Sequence, residues 1–199
     1  GRVARREFRR LLYRDHPYGR KSTIESVSGI TREDIIAFHK KYYHPNNIMF
    51  GISGDFNKGE ILDKIRSVFK DWEKKEIDFP EVPPVKKDLN RSVNYVYKDV
   101  KQSVIRLGHM GLDFRNPDHY AVILMNYILG GGGFQSRMMQ DIRNDRGLAY
   151  SVWSYFQLGM RDIGVFASGS GPKLQSTITV IKRMEDIIKE MRESPVKDE

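Results

Sequence analysis

Cysteine is missing from this chain. Its absence excludes disulfides, thiolate zinc sites and a cysteine nucleophile. A reducing cytoplasm and a thiol-free periplasmic protein both suit it, so the compartment stays open. Long apolar runs are missing too: no stretch approaches the roughly 18 residues that a bilayer-crossing helix needs. At Gly1 the chain opens on an arginine-rich amphipathic stretch without the apolar segment of a signal peptide. No initiating methionine stands there, which reads as a missing beginning and says little about the protein's address. Acidic residues are outnumbered, 26 against 34 lysines and arginines, for a net charge of +8. Such a balance raises nucleic acid as a partner. The positive residues are scattered, however, apart from Arg2, Arg5, Arg6, Arg9 and Arg10, which form the solvated side of a helix whose buried stripe is Phe8, Leu11 and Leu12. No nucleic-acid-binding motif accompanies them.

What is present is a soluble-type composition, 39% hydrophobic and 30% charged over 199 residues, long enough for one large domain or two smaller ones. An N-terminal helix is predicted to end near Tyr13, at the turn-rich Asp15-His16-Pro17-Tyr18-Gly19. Thr31 followed by Asp34 announces a capped helix, whose apolar face is Ile35, Ile36, Phe38, Tyr42 and Tyr43. Pro45 ends it, and Ile48, Phe50 and Ile52 alternate as in a half-buried strand. A further helix shows a clean period through Ile61, Leu62, Ile65, Val68, Phe69 and Trp72.

From Lys74 to Asn90 the chain carries Pro80, Pro83 and Pro84 among charges. Proline stops helix and sheet from running through, so this is read as a linker. Beyond it, Val93, Tyr95 and Tyr97 predict one strand and residues 104–109 a second. Asn116-Pro117 opens a helix that continues to Leu129 and is apolar almost all round, which predicts that it is buried. Gly130 to Gly133 breaks it, a short helix covers about 136–144, and Gly147 ends that helix. Residues 148–156 and 163–168 predict an antiparallel strand pair, and 172–193 a last helix presenting Leu174, Ile178, Ile181, Met184, Ile188 and Met191. Blocks of helices and hairpin-like strands imply an α+β fold, with helices packed on one face of antiparallel sheets.

The five histidines, His16, His39, His44, His109 and His119, fall in no zinc-binding spacing and read as structural or surface residues. The four glycines lack the Gly-Lys-Ser/Thr ending of a phosphate-binding loop, and a turn between helices is their default. The segment SRMMQDIRNDRGLAYS is more informative. Arg143 stands near the end of the short helix and Tyr150 near the start of the next strand, seven residues on. A turn at Gly147 could bring both to one spot, where a guanidinium and a phenol would supply donors for a peptide carbonyl. On chemistry alone, an arginine packed on a tyrosine is the simpler reading.

At this point a resemblance changes the weighing. GGGGFQSRMMQDIRNDRGLAYSV resembles the second-domain signature of insulinase/pitrilysin-type peptidases, the inverted-zinc-motif family. LLYRDHPYGR and ITREDIIAFHKKYYHPNNIMFGISGD resemble the latter part of that family's first domain. The resemblance covers essentially the whole chain. It implies two similar α+β domains closing around an unfolded peptide. The first carries H-x-x-E-H and a downstream glutamate for zinc, the motif glutamate being the general base. The second supplies an Arg–Tyr pair that holds the substrate, which maps onto Arg143 and Tyr150, with Arg146 as a nearby competitor.

H-x-x-E-H is missing here. The resemblance therefore implies residues 1–74 as the back part of a first domain, 75–90 as linker and 91–199 as the front part of a second. It further implies a parent zinc endopeptidase of extended peptides, with no catalytic or metal-binding residue in this chain and no activity of the fragment alone. The alternative is a non-catalytic partner or structural subunit of the same family. The expected partners are a peptide substrate and a related subunit in a homo- or heterodimer, with no nucleic acid and no membrane span. Bacterial relatives favour a periplasmic address.

Overall fold

The computed structural model describes residues 1–87 and 90–196. Two positions of the expected linker, 88 and 89, and the end of SPVKDE, 197–199, lie outside the described residues. The chain forms two compact units, one of Gly1–Lys21 with Pro83–Glu199 and one of Ser22–Val82. The architecture is α+β. The N-terminal helix, Arg2–Tyr13, belongs to the first unit.

The first unit is built on a three-stranded antiparallel sheet of β1 (Ile105–Met110), β2 (Ala149–Gln157) and β3 (Val165–Pro172), in the order β1-β3-β2. Ser168 of β3 stands opposite Leu107 of β1 and Ser154 of β2. The central strand is buried along nearly its whole length because both of its faces are covered. On one face, Phe166, Ile105, Ala149 and Val152 pack against Leu129, Met138, Ile142, Val180, Met184 and Ile187. On the other, Val165 and Ala167 meet Leu12 and Tyr13 of helix α1 (Arg2–Tyr13). Buried hydroxyls on β3 are satisfied locally: Ser168 Oγ donates to the Trp153 carbonyl at 2.8 Å and Ser170 Oγ to that of Ser151 at 2.9 Å.

The second unit contains α2 (Ile24–Ser28), α3 (Arg32–Tyr42) and α4 (Lys58–Val68). Each has a side-chain N-cap. Thr23 pairs reciprocally with Ser26, Thr31 with Asp34, and Asn57 accepts from Gly59 and Glu60. No described residue between 22 and 82 is buried, and apolar side chains such as Ile35 and Phe38 stay more than half exposed.

In the first unit, α5 (His119–Asn126) runs into a π-helical turn, Tyr127–Gly131, and α6 (Thr177–Glu193) closes the described chain. Four expectations change. The helix after Pro117 is not buried, since Tyr120 and Leu124 stay more than half exposed and no residue of α5 is buried. The strands read at 48–52 and 93–97 do not form; alternation marks a side chain's face, but a strand also needs a ladder partner, and neither segment has one among the described residues. The last helix starts at Thr177, not at 172, because Ser103 N donates to the Pro172 carbonyl at 3.1 Å and Gln102 bridges Lys173, which holds that stretch in the sheet.

Candidate functional site

The helix expected at about 136–144 is helical from residue 137 and passes into a π-helical turn over Met139–Asp145. Met138, Met139 and Ile142 fill its buried face, which leaves Arg143 on the flank, half-buried. Gly147 ends it with φ +58°. Its own N–H reaches the Arg143 carbonyl, and the Leu148 N–H reaches back to Ile142 at 2.9 Å. This is a left-handed glycine cap, and it reverses the chain directly into β2. Ala149 then points into the core while Tyr150 is 78% exposed.

The cap brings Arg143 and Tyr150 together, with the guanidinium carbon 4.3 Å from the ring centroid. A second ring, Phe134, lies 4.5 Å from the same carbon. Among the described residues Arg143 has no ion pair and no side-chain hydrogen bond, so its five N–H donors are uncommitted.

Arg146 is placed differently. Its Nε donates to Asp141 Oδ1 at 3.0 Å. Asp141 also receives a forked contact from Arg183 of α6, at 3.0 Å from Nε and 2.6 Å from Nη2. The hydrogen bonds from Arg183, helped by Arg146, hold the Asp141 carboxyl below its usual range against the opposing effect of partial burial. Asp141 in turn raises Arg183. This ion cluster ties the Arg143-bearing helix to α6, and it occupies the arginine that competes with Arg143 in the sequence.

Gly130 and Gly131 stay inside the π-helical turn, so the glycine run breaks the helix only from Gly132 on, with Gly133 at φ +65°. It carries Phe134 within a 3₁₀ turn, Gly133–Gln135. Sequence reasoning passed over Phe134 and Asp141. An isolated phenylalanine after four glycines has no period to mark it, and an acid five residues before Arg146 reads as ordinary helix charge.

The histidines are engaged in local structure. His16 is buried, with Nε2 donating to the Pro83 carbonyl at 2.7 Å and Nδ1 accepting from Tyr18 N at 3.1 Å. His44, His109 and His119 bond nearby carbonyls, and His39 stacks on Tyr43. No group of three or more potential ligands gathers among the described residues. The donor set of the described residues does not fit a catalytic zinc ion.

Residues 29–199 match the family described as the peptidase M16 inactive domain. This chain belongs to that family. Uncharacterised zinc proteases of Streptomyces coelicolor and Bacillus subtilis are 26% and 28% identical to it over 96% and 93% of its length. The alignments take in 43% and 47% of those proteins, so the M16 chain spans less than half the length of these curated relatives. A crystal structure of a peptidase M16 inactive domain from Pseudomonas fluorescens superposes with a TM-score of 0.88 at 28% identity, over 98% of this chain and 48% of that one. The periplasmic protease PqqL from Escherichia coli shares the fold, with a TM-score of 0.75 at 13% identity over 99% of this chain and 22% of that one.

Proposed function

We propose that this chain is the substrate-holding part of a zinc-dependent endopeptidase that hydrolyses extended peptides, with Arg143 and Tyr150 as the residues that hold the peptide. In this reading residues 1–74 are the back part of the zinc-type domain, 75–90 the linker and 91–199 the front part of the substrate-binding domain. Zinc and the general base come from protein outside this chain, which alone is inactive.

One observation carries the reading. Arg143 is an uncommitted guanidinium held at 4.3 Å against an exposed tyrosine ring, while the neighbouring Arg146 is spent on Asp141. The rings occupy guanidinium surface and leave N–H groups for an incoming acceptor. Together with the Tyr150 hydroxyl they suit a peptide carbonyl oxygen, whose negative charge grows as the carbonyl is attacked. A cation alone would serve as a point charge; a planar donor set against a ring also fixes direction. The names of the relatives, zinc proteases, agree with the reaction class.

The test is Arg143→Ala and Tyr150→Phe in the full-length protein that carries this chain. Loss of a positioned donor lowers cleavage about 10²–10³-fold, with bound zinc unchanged. Unaltered turnover in both variants would refute the assignment of the pair.

A further inference from the structure

We propose that Phe134 is a positioning residue for Arg143: its ring restricts the guanidinium so that the donors are set before a peptide arrives. The proposal rests on the reading that Arg143 takes the peptide.

Phe134 is a large apolar side chain left 61% exposed at the end of a glycine run. Burial does not account for it, yet its ring centroid lies 4.5 Å from the Arg143 guanidinium carbon. Tyr150 lies 4.3 Å from the same atom, so one cation is flanked by two aromatic rings. The turn that presents Phe134 is fastened to the helix that presents Arg143. Gln140 Nε2 donates to the Phe134 carbonyl at 3.1 Å. Ser136, itself buried, donates from Oγ to the Gly133 carbonyl at 2.7 Å. Ring and guanidinium therefore share one frame.

An unpaired arginine samples many rotamers, and ordering it on binding weakens capture. A ring that is already in place removes part of that loss. One cation–π contact at a partly exposed site corresponds to about 3- to 30-fold in an equilibrium.

The experiment uses the full-length protein, with fluorescein-labelled β-casein as an unfolded probe. Anisotropy reads binding, and cleavage reads KM and kcat, for Phe134→Ala, Phe134→Leu, Phe134→Tyr, Arg143→Ala and the Phe134→Ala/Arg143→Ala double variant. The proposal expects Phe134→Ala to weaken capture about 3- to 30-fold, chiefly in KM. Phe134→Tyr restores it, and Phe134→Leu, with bulk but no π face, does not. In the Arg143→Ala background, Phe134→Ala has no further effect.

Equal losses from Phe134→Ala in both backgrounds overturn the proposal, because Phe134 would then act on the peptide by itself. Full recovery by leucine overturns it as well. A loss in Arg143→Ala beside a neutral Phe134→Ala rejects the positioning role and leaves the Arg143 reading standing. A neutral Arg143→Ala removes both.

Discussion

Replacing Asp141 by asparagine removes the charge that ties the Arg143-bearing helix to α6 while keeping the size of the side chain. Three charge-assisted contacts are affected, from Arg183 at 3.0 and 2.6 Å and from Arg146 at 3.0 Å. Hydrogen bonds to charged groups contribute about 1.5–3 kcal/mol each. Their sum overstates the effect, because asparagine retains one acceptor oxygen. The Arg183 and Asp141 side chains are also 25% and 21% exposed, so water takes part. The expected loss is about 1–3 kcal/mol near neutral pH.

The pH dependence sharpens this prediction. The folded-state pKa of Asp141 is depressed, so its contribution is fully present above the unfolded carboxyl value of about 4. It is lost as pH falls through the lower folded value. A protonated aspartate resembles asparagine, so wild type and variant should converge in acid. Urea denaturation followed through Trp153 reads this, with Trp72→Phe removing the only other tryptophan. A difference under about 0.5 kcal/mol at pH 7, or one that persists undiminished at pH about 2.5, would refute the reasoning.

Gly147→Ala should cost about 1–2 kcal/mol, read by the same denaturation: a Cβ there meets no atom within 4 Å, so the penalty comes from φ +58° alone. Ile142→Ala, at a fully buried position, should destabilise the first unit by about 2–5 kcal/mol; a change below about 1 kcal/mol would mean that the helix is not packed as described. Amides of residues 48–52 and 93–97 should exchange near unprotected rates in this chain, because both segments lack ladder partners among the described residues. Slow exchange there would show pairing that the described residues do not make.

Much of each unit was legible because its signals are local. Thr31 with Asp34 marked a cap, and Gly147 marked the reversal that brings Arg143 to Tyr150. The stripe of the last helix was only partly legible. Met184 is buried as expected, but Val180 and Ile187 complete the face, while Leu174 and Ile178 stay more than half exposed. Periodicity gives the spacing of a stripe; the sheet it meets decides which of two neighbouring stripes is covered. The strands at 48–52 and 93–97 fail for a related reason, since alternation carries no information about a hydrogen-bonding partner. Phe134 and Asp141 were illegible because their importance lies in contacts with Arg143, Arg146 and Arg183, and Asp141 meets Arg183 across 42 residues of chain.

In the proposed function these residues are the substrate-holding part of a zinc peptidase whose metal lies outside them. Zinc content and casein cleavage, measured side by side on this chain and on the full-length protein, test it most directly. Zinc and cleavage are expected in the full-length protein and neither in this chain. A full-length protein without zinc or activity would contradict it, and would make Arg143 and Tyr150 part of a non-catalytic subunit.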